Sequence, residues 1–151
     1  VSIVDLLLPF MGDYINPVEE DGRTAMHLAA RKGHLDIIKF FTERLEDINP
    51  GRQDDKFRGQ TPLHYAAHNG HLAIVQHLCS LLEDKNPGNI NGQTPLHEAA
   101  YMGELEVVKY LVQFLDDKNP KITDGGHKGK TPLDRAKQGK KFEVVKFLEN
   151  L

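Results

Sequence analysis

The fold is decided by residues 59–67, which read G-Q-T-P-L-H-Y-A-A. Close copies stand at residues 22–30 (G-R-T-A-M-H-L-A-A) and 92–100 (G-Q-T-P-L-H-E-A-A), and a looser one stands at residues 129–137 (G-K-T-P-L-D-R-A-K). The threonines of consecutive copies are separated by 37, 33 and 37 residues. A motif that recurs at a nearly constant period indicates a solenoid, in which each copy is one structural unit stacked on its neighbours.

Each part of the motif has a physical role at the start or end of a short helix. The hydroxyl of Thr61 suits an N-cap, and Pro62 then falls at the first helical position, where a missing N–H costs nothing. The small Ala66 and Ala67 let successive helices approach closely, and Gly70 suits the left-handed backbone that ends the helix. The same roles are predicted for the equivalent residues Thr24, Thr94, Thr131, Pro95, Pro132, Gly33 and Gly103.

A second helix is predicted after each of these glycines. Its apolar residues recur at helical spacing, and they are Leu35, Ile37, Ile38 and Phe41, then Leu72, Ile74, Val75 and Leu78, then Leu105, Val107, Val108 and Leu111. One such helix pair cannot cover its own apolar face, so neighbouring pairs must stack on one another.

The T-P-L-H-x-A-A core at a period near 33 residues resembles the ankyrin repeat, and the resemblance covers essentially the whole chain. It implies an all-α ankyrin-repeat solenoid of stacked helix-loop-helix units with projecting β-hairpin or loop fingers. We expect a single domain, 1–151, made of a half repeat at 1–17, full repeats at about 18–54, 55–87 and 88–124, and a C-terminal capping repeat at 125–151.

The two ends of the stack differ from its middle. In the fourth copy Lys137 stands where an alanine would face a further unit, which is what an exposed last face requires, and Asp134 suits the start of a helix. Residues 1–10 are apolar almost all round, and we expect sequence further upstream in a longer parent protein to pack on them.

Two features depart from the family pattern. Leucines (Leu45, Leu82 and Leu115) replace the glycine that usually ends the second helix, so we expect those helices to run on to the Asn-Pro pairs that follow. The finger loops alternate in length, with 8 or 12 residues between the asparagine of the Asn-Pro pair and the motif threonine. The longer loops could carry binding specificity or could be neutral drift, since loop length costs little free energy.

Composition and charge narrow the function classes. A formal net charge of −3, with both signs spread along the chain, gives no basic footprint for nucleic acid or a membrane surface. No apolar run approaches the roughly 20 residues that a membrane span needs, and the start lacks the features of a signal peptide. The single cysteine, Cys79, excludes an internal disulfide framework. We therefore expect a monomer in the cytosol, with the nucleus as the alternative.

The chain is not expected to be an enzyme or to hold a metal or cofactor. His27, His64 and His97 recur once per repeat, about 8 to 10 Å apart, too far to share a zinc ion. We expect each imidazole to hydrogen-bond the turn of its own or a neighbouring repeat instead. Cys79 and His77 point to different faces of one helix and form no dyad.

The resemblance implies that a partner protein lies across the concave side formed by the fingers and the first helices. The matching positions in this sequence are Arg23, Arg31 and Lys32, then Phe57, Arg58, Gln60 and His68, then Ile90, Asn91, Gln93, Tyr101 and Met102. Tyr65 either joins this surface or packs in the core, because its position is normally an apolar one of the scaffold. The large apolar members, Phe57, Ile90, Tyr101 and Met102, are candidate hot spots, or else they simply cover the ends of long loops. The basic members indicate a partner with acidic groups.

Two other possibilities stay open at this point. The chain could be a structural spacer of a longer ankyrin array, without a specific partner of its own. The asparagines of the Asn-Pro pairs (Asn16, Asn49, Asn86 and Asn119) also occupy the position that asparaginyl hydroxylases modify in some ankyrin proteins, although the following proline departs from that pattern.

Overall fold

The computed structural model describes residues 16–54 and 58–151. Within these ranges the chain forms four consecutive helix pairs. The first helices are α1 (Ala25–Lys32), α3 (Pro62–His68), α5 (Pro95–Met102) and α7 (Pro132–Gln138). The second helices are α2 (Leu35–Thr42), α4 (Leu72–Leu81), α6 (Leu105–Leu111) and α8 (Phe142–Glu149). The predicted all-α solenoid is confirmed, and residues 1–15, which hold most of the expected half repeat, lie outside the described residues.

The first helices begin where the sequence predicts. Thr24, Thr61, Thr94 and Thr131 are the N-cap residues, and in the last three repeats proline is the first helical residue. A side-chain amide from the preceding Asn-Pro pair adds a second cap: Asn86 Oδ1 accepts a hydrogen bond of 3.0 Å from the N–H of Leu96. Each of these contacts satisfies a backbone N–H that has no partner inside its helix.

One histidine per repeat ties the start of its own helix to the next repeat. Nδ1 of His64 accepts a hydrogen bond from the N–H of Thr61 (3.2 Å), and Nε2 lies 2.9 Å from the backbone carbonyl oxygen of Gln93. Because Nδ1 accepts, the proton of the neutral ring is on Nε2, which donates to that carbonyl. His27 and His97 make the same two contacts, with Thr24 and Gln60 and with Thr94 and Pro120. The predicted structural role of these histidines is confirmed.

The core runs along the stack between the two layers of helices. Consecutive first helices pack more extensively on one another than consecutive second helices do, as expected from their paired alanines. Met26, Leu63 and Leu96 occupy equivalent positions and are completely buried. The equivalent Leu133 of the last repeat is only partly buried, and Phe142, at the start of α8, is 79% exposed.

The prediction that the second helices run on to the Asn-Pro pairs is wrong. Helix α2 ends at Thr42, α4 ends at Leu81, and a 3₁₀ turn (Val112–Phe114) follows α6. Leu45, Leu82 and Leu115 lie just beyond these ends, partly buried against the core. The leucine side chains therefore pack on the core although their backbone is not helical. We infer that this packing, and not the more distant proline, determines where each second helix ends.

The fourth repeat departs from the others at both ends of α7. Asp134 replaces the histidine, and its Oδ2 accepts hydrogen bonds from the N–H and the hydroxyl of Thr131 (both 3.0 Å). An ionised carboxylate only accepts hydrogen bonds, so Asp134 caps its own helix but cannot donate to a carbonyl as the three histidines do. At the other end Gly139 has φ −75° and Lys140 takes the left-handed conformation (φ 55°). A Cβ on Gly139 would overlap the carbonyl oxygen of Tyr101, so glycine is required at position 139, one residue before the left-handed residue.

Candidate binding groove

The finger loops form a hydrogen-bonded row along one edge of the stack. Within a finger, Arg52 exchanges backbone hydrogen bonds with Gly59 and Gln60, as in a hairpin. Between fingers, the N–H of Ile90 donates to the carbonyl of Arg58 (3.0 Å), and the N–H of Thr123 donates to that of Asn91 (2.9 Å). The described residues hold no β-strand, and one isolated antiparallel bridge joins Val18 to Thr24. The row of fingers gives the first helices a rigid neighbouring wall.

Fingers and first helices enclose an open groove of about 610 Å³. Eight of the predicted contact residues line it, and they are Arg23, Arg31, Gln60, Tyr65, His68, Asn91, Gln93 and Tyr101. Four others, Lys32, Arg58, Ile90 and Met102, do not line the groove. Ile90 is 57% exposed on the third finger, and Met102 is half-buried at the end of α5. Phe57 lies outside the described residues.

The residue between histidine and the paired alanines places one further side chain per repeat along the groove. This position holds Tyr65 in α3, Glu98 in α5 and Arg135 in α7, and all three line the groove. Glu98 and Arg135 were not predicted as contact residues from the sequence. The sequence does distinguish this position. The residue x of T-P-L-H-x-A-A is leucine, tyrosine, glutamate and arginine in the four copies, while its neighbours hardly change.

Glu98 is the polar centre of the groove. Its Oε1 accepts hydrogen bonds from the side-chain amides of Gln93 (2.6 Å) and Gln60 (3.3 Å), and its Oε2 lies 2.8 Å from Nδ1 of His68. Burial raises the pKa of the Glu98 carboxyl, but the hydrogen bond and charge of His68 and the charge of Arg135 outweigh it, so the pKa lies below its ordinary value. Glu98 is thus an ionised, fully hydrogen-bonded carboxylate.

At the N-terminal end of the groove, arginines are held by aspartates of the fingers. Arg52 donates through Nη1 to the hydroxyl of Tyr65 (2.8 Å) and pairs through Nε with Asp54 (2.7 Å). Arg23 pairs with Asp21, and the hydrogen bond from Arg23 is the main cause that lowers the pKa of Asp21. These pairs fix the positions of Tyr65 and of both guanidinium groups.

At the opposite end, Arg135 is buried, with 5% of its surface exposed. Its guanidinium lies 4.2 Å above the ring of Tyr101, and Nη1 donates to Oε1 of Gln138 (2.6 Å). His127, from the short 3₁₀ turn Gly125–His127, places Nε2 3.4 Å from the same Nη1. This cation–π arrangement fixes Tyr101 at the wall of the groove.

The groove combines preformed hydrogen-bonding groups with two aromatic rings. Over residues 16–54 and 58–151, no group of three or more histidine, cysteine, aspartate or glutamate side chains could hold a metal ion. Burial raises the pKa of the Cys79 thiol to about 11, so that thiol stays protonated near neutral pH. No helix in the described part of the chain is long and apolar enough to cross a membrane. The groove thus presents hydrogen-bond donors and acceptors, charged groups and aromatic rings on one surface.

Comparison with protein families gives a match over almost the whole chain. The family described as ankyrin repeats matches in three overlapping copies, at residues 1–89, 46–124 and 79–150. A comparison with curated proteins gives no match.

Proposed function

The chain belongs to the ankyrin-repeat family, whose members are in general non-catalytic protein-interaction modules, and we propose that it binds a partner protein in the groove between its fingers and first helices. The observation that carries this proposal is the row formed by Tyr65, Glu98 and Arg135, one side chain per repeat at the motif position that differs in all four copies. All three side chains line the same groove, and neighbouring residues hold each of them in place.

We propose that the partner contacts the predicted residues that line the groove, with Tyr65 and Tyr101 as aromatic anchors. Rigid aromatic side chains lose little conformational entropy on binding and are enriched among interface hot spots. The fingers extend this surface, and Phe57, Arg58 and Ile90 would contact the partner from their tips. Arg23, Arg31, Lys32 and Arg58 favour a partner that carries acidic groups.

The proposal includes no catalytic step, metal or cofactor, and it treats the chain as one domain with the repeat limits given above. We propose that it acts as a monomer in the cytosol or nucleus, where its one buried thiol would stay reduced.

Site-specific photo-crosslinking tests the proposal. A benzoylphenylalanine replaces Tyr101 in the groove or, as a matched control, Phe114, which is 45% exposed at the end of the 3₁₀ turn after α6. Irradiation in cells of the source organism should attach one recurrent protein to position 101 and leave position 114 without it. Equal labelling at both positions, or none at position 101, would contradict groove binding and would favour a structural spacer.

A further inference from the structure

Within the described residues, the groove contains a buried guanidinium, that of Arg135, which makes no ion pair. Of the three guanidinium nitrogens of Arg135, Nη1 donates to Gln138 and faces His127. Nε is buried without any hydrogen-bond partner, and Nη2 has none among the described residues. Arg135 also makes no ion pair within that part of the chain. Buried charges in proteins are normally paired, because removing a charge from water is costly unless an opposite charge and hydrogen bonds replace the water.

The neighbouring acids are already engaged elsewhere. Glu98 gives Oε1 to two glutamine amides and Oε2 to His68. Asp134, the residue before Arg135, caps its own helix through Thr131, and Asp124 accepts from the N–H of Gly125. The counter-ion of Arg135 is therefore missing from the described residues, although the residue faces the groove.

We infer that this end of the groove binds a carboxylate from an acidic segment of the partner protein, held between Arg135, the ring of Tyr101 and His127. The inference rests on the proposed function, because it names the chemistry of the partner at the same groove. A guanidinium presents parallel N–H donors that match the two oxygens of a carboxylate, and Nε with Nη2 is the pair left over here. Because Nε is buried in the unbound groove, the side chain must shift before both donors reach the carboxylate.

The surrounding charge favours several carboxylates over a single one. Residues 118–141 hold eight lysines and arginines against two aspartates, a surplus of six positive charges in a chain whose net charge is −3. At the opposite end of the groove, the guanidinium of Arg31 has no hydrogen-bond or ion-pair partner among the described residues. Positive charge at both ends fits an extended acidic segment rather than a lone chain terminus.

A polypeptide fits this groove better than a nucleic acid does. The ionised Glu98 lies in the middle of the groove, where the evenly spaced phosphates of a nucleic acid would be repelled by it. An acidic peptide can place uncharged residues over Glu98 and carboxylates at the two ends.

The test begins with a random peptide library displayed on phage and selected on the full chain, with binders kept if they compete with one another. The expected consensus is rich in aspartate and glutamate. The best peptide is then measured against wild type, Arg135→Gln and the control Lys146→Gln, which removes one positive charge from an exposed site on a second helix. We expect Arg135→Gln to weaken binding at least about tenfold and Lys146→Gln less than about twofold, with Arg135→Lys in between.

The outcomes separate this inference from the proposed function. Replacing the glutamates of the peptide by glutamine should cause the same loss as Arg135→Gln, and amidating its C-terminus should cause none. Groove binders without acidic residues, or equal effects of the two substitutions, would overturn the inference and leave groove binding intact. No competing peptide at all, or photo-crosslinks outside the groove, would overturn both. Tighter binding of single-stranded RNA than of any peptide would overturn the acidic-segment inference. Thermal melts show whether the Arg135→Gln variant is folded. Because this substitution removes an unpaired buried charge, we expect its Tm to equal or exceed that of wild type.

Discussion

Nε2 of His64 lies 2.9 Å from the carbonyl oxygen of Gln93, and this hydrogen bond joins the first helix of one repeat to the finger of the next. Its repetition at His27 and His97 makes neutral imidazole part of every interface between described repeats. Protonation of any of these rings would turn the accepting Nδ1 into a donor that faces the donor N–H of its own N-cap threonine.

Stability should therefore fall in mild acid. Burial is the main cause that lowers the pKa of His97, to about 4, from 6.5 in an unfolded chain, and it lowers those of His27 and His64 too. Between these two pKa values the unfolded chain binds more protons than the folded chain. The free energy of unfolding is therefore unaffected above pH 6.5. Between pH 6.5 and pH 4 it decreases, by about 3 kcal/mol for His97. Urea unfolding at several pH values measures this loss. His97→Gln should reduce the slope by about 1.4 kcal/mol per pH unit, and an unchanged slope would contradict this account.

The side chains of Asn16, Asn49 and Asn86 cap the first helix that follows each of them, and this capping should stabilise the stack. Asn86→Ala removes the acceptor of the Leu96 N–H, and we expect a loss of about 1 kcal/mol in the free energy of unfolding. Asn119→Ala is the matched control, because the exposed Asn119 side chain makes no such bond within the described residues. Equal effects of the two substitutions in urea unfolding would refute the capping role.

In the last repeat the left-handed conformation falls on Lys140 and not on the glycine at position 139. We expect a substitution to stabilise the protein at position 140 and to destabilise it at position 139. Lys140→Gly relieves a left-handed lysine and should raise the free energy of unfolding by up to about 1 kcal/mol. Gly139→Ala should lower it by more than about 1 kcal/mol, because the added methyl overlaps the Tyr101 carbonyl. If Gly139→Ala melted like wild type, the close approach would be disproved.

The single thiol should be inert in the folded protein. Cys79 is completely buried and has a pKa of about 11, so both access and the thiolate fraction are low at pH 8. We expect a disulfide reagent such as Ellman's reagent to react fully in guanidinium and at least about a hundredfold more slowly in buffer, since reaction requires opening of the fold. Rapid stoichiometric reaction in buffer would show that the core is not closed at Cys79.

Tyr101 should be a binding residue more than a stability residue. Tyr101→Ala is expected to weaken the partner complex by about 2 kcal/mol with a small change in Tm. Phe114→Ala serves as the control, because it removes an exposed aromatic ring outside the groove. Calorimetric titration with the crosslinked partner measures both, and unchanged affinity of Tyr101→Ala would remove Tyr101 from the interface.

The local rules of helix initiation were readable from the sequence, and the ends of the second helices were not. Thr61 and Pro62 act within one turn of backbone, so their residue types are sufficient to place the start of α3. The end of α4 depends instead on Leu82, which lies outside the helix and packs on the core of the stack. Such tertiary contacts override local helix preference and leave no sequence signature.

The groove residues whose positions follow from the family resemblance were predicted from the sequence. Those whose place in the groove depends on tertiary burial were not. Residues beside the conserved motif, such as Gln60 and Tyr101, could be carried over position by position. Arg135 looked like part of a polar end cap, and its burial depends on Tyr101 and Gln138, which only the folded repeat brings to it. The contribution of Phe57 stays a prediction.

Hydrogen exchange of the complex with the crosslinked partner tests groove binding most directly. The account predicts slower amide exchange in the fingers around Asn91 and Thr123 and at the exposed ends of α3 and α5, with α4 and α6 unchanged. Protection confined to the second helices, or no protection in the fingers, would contradict it.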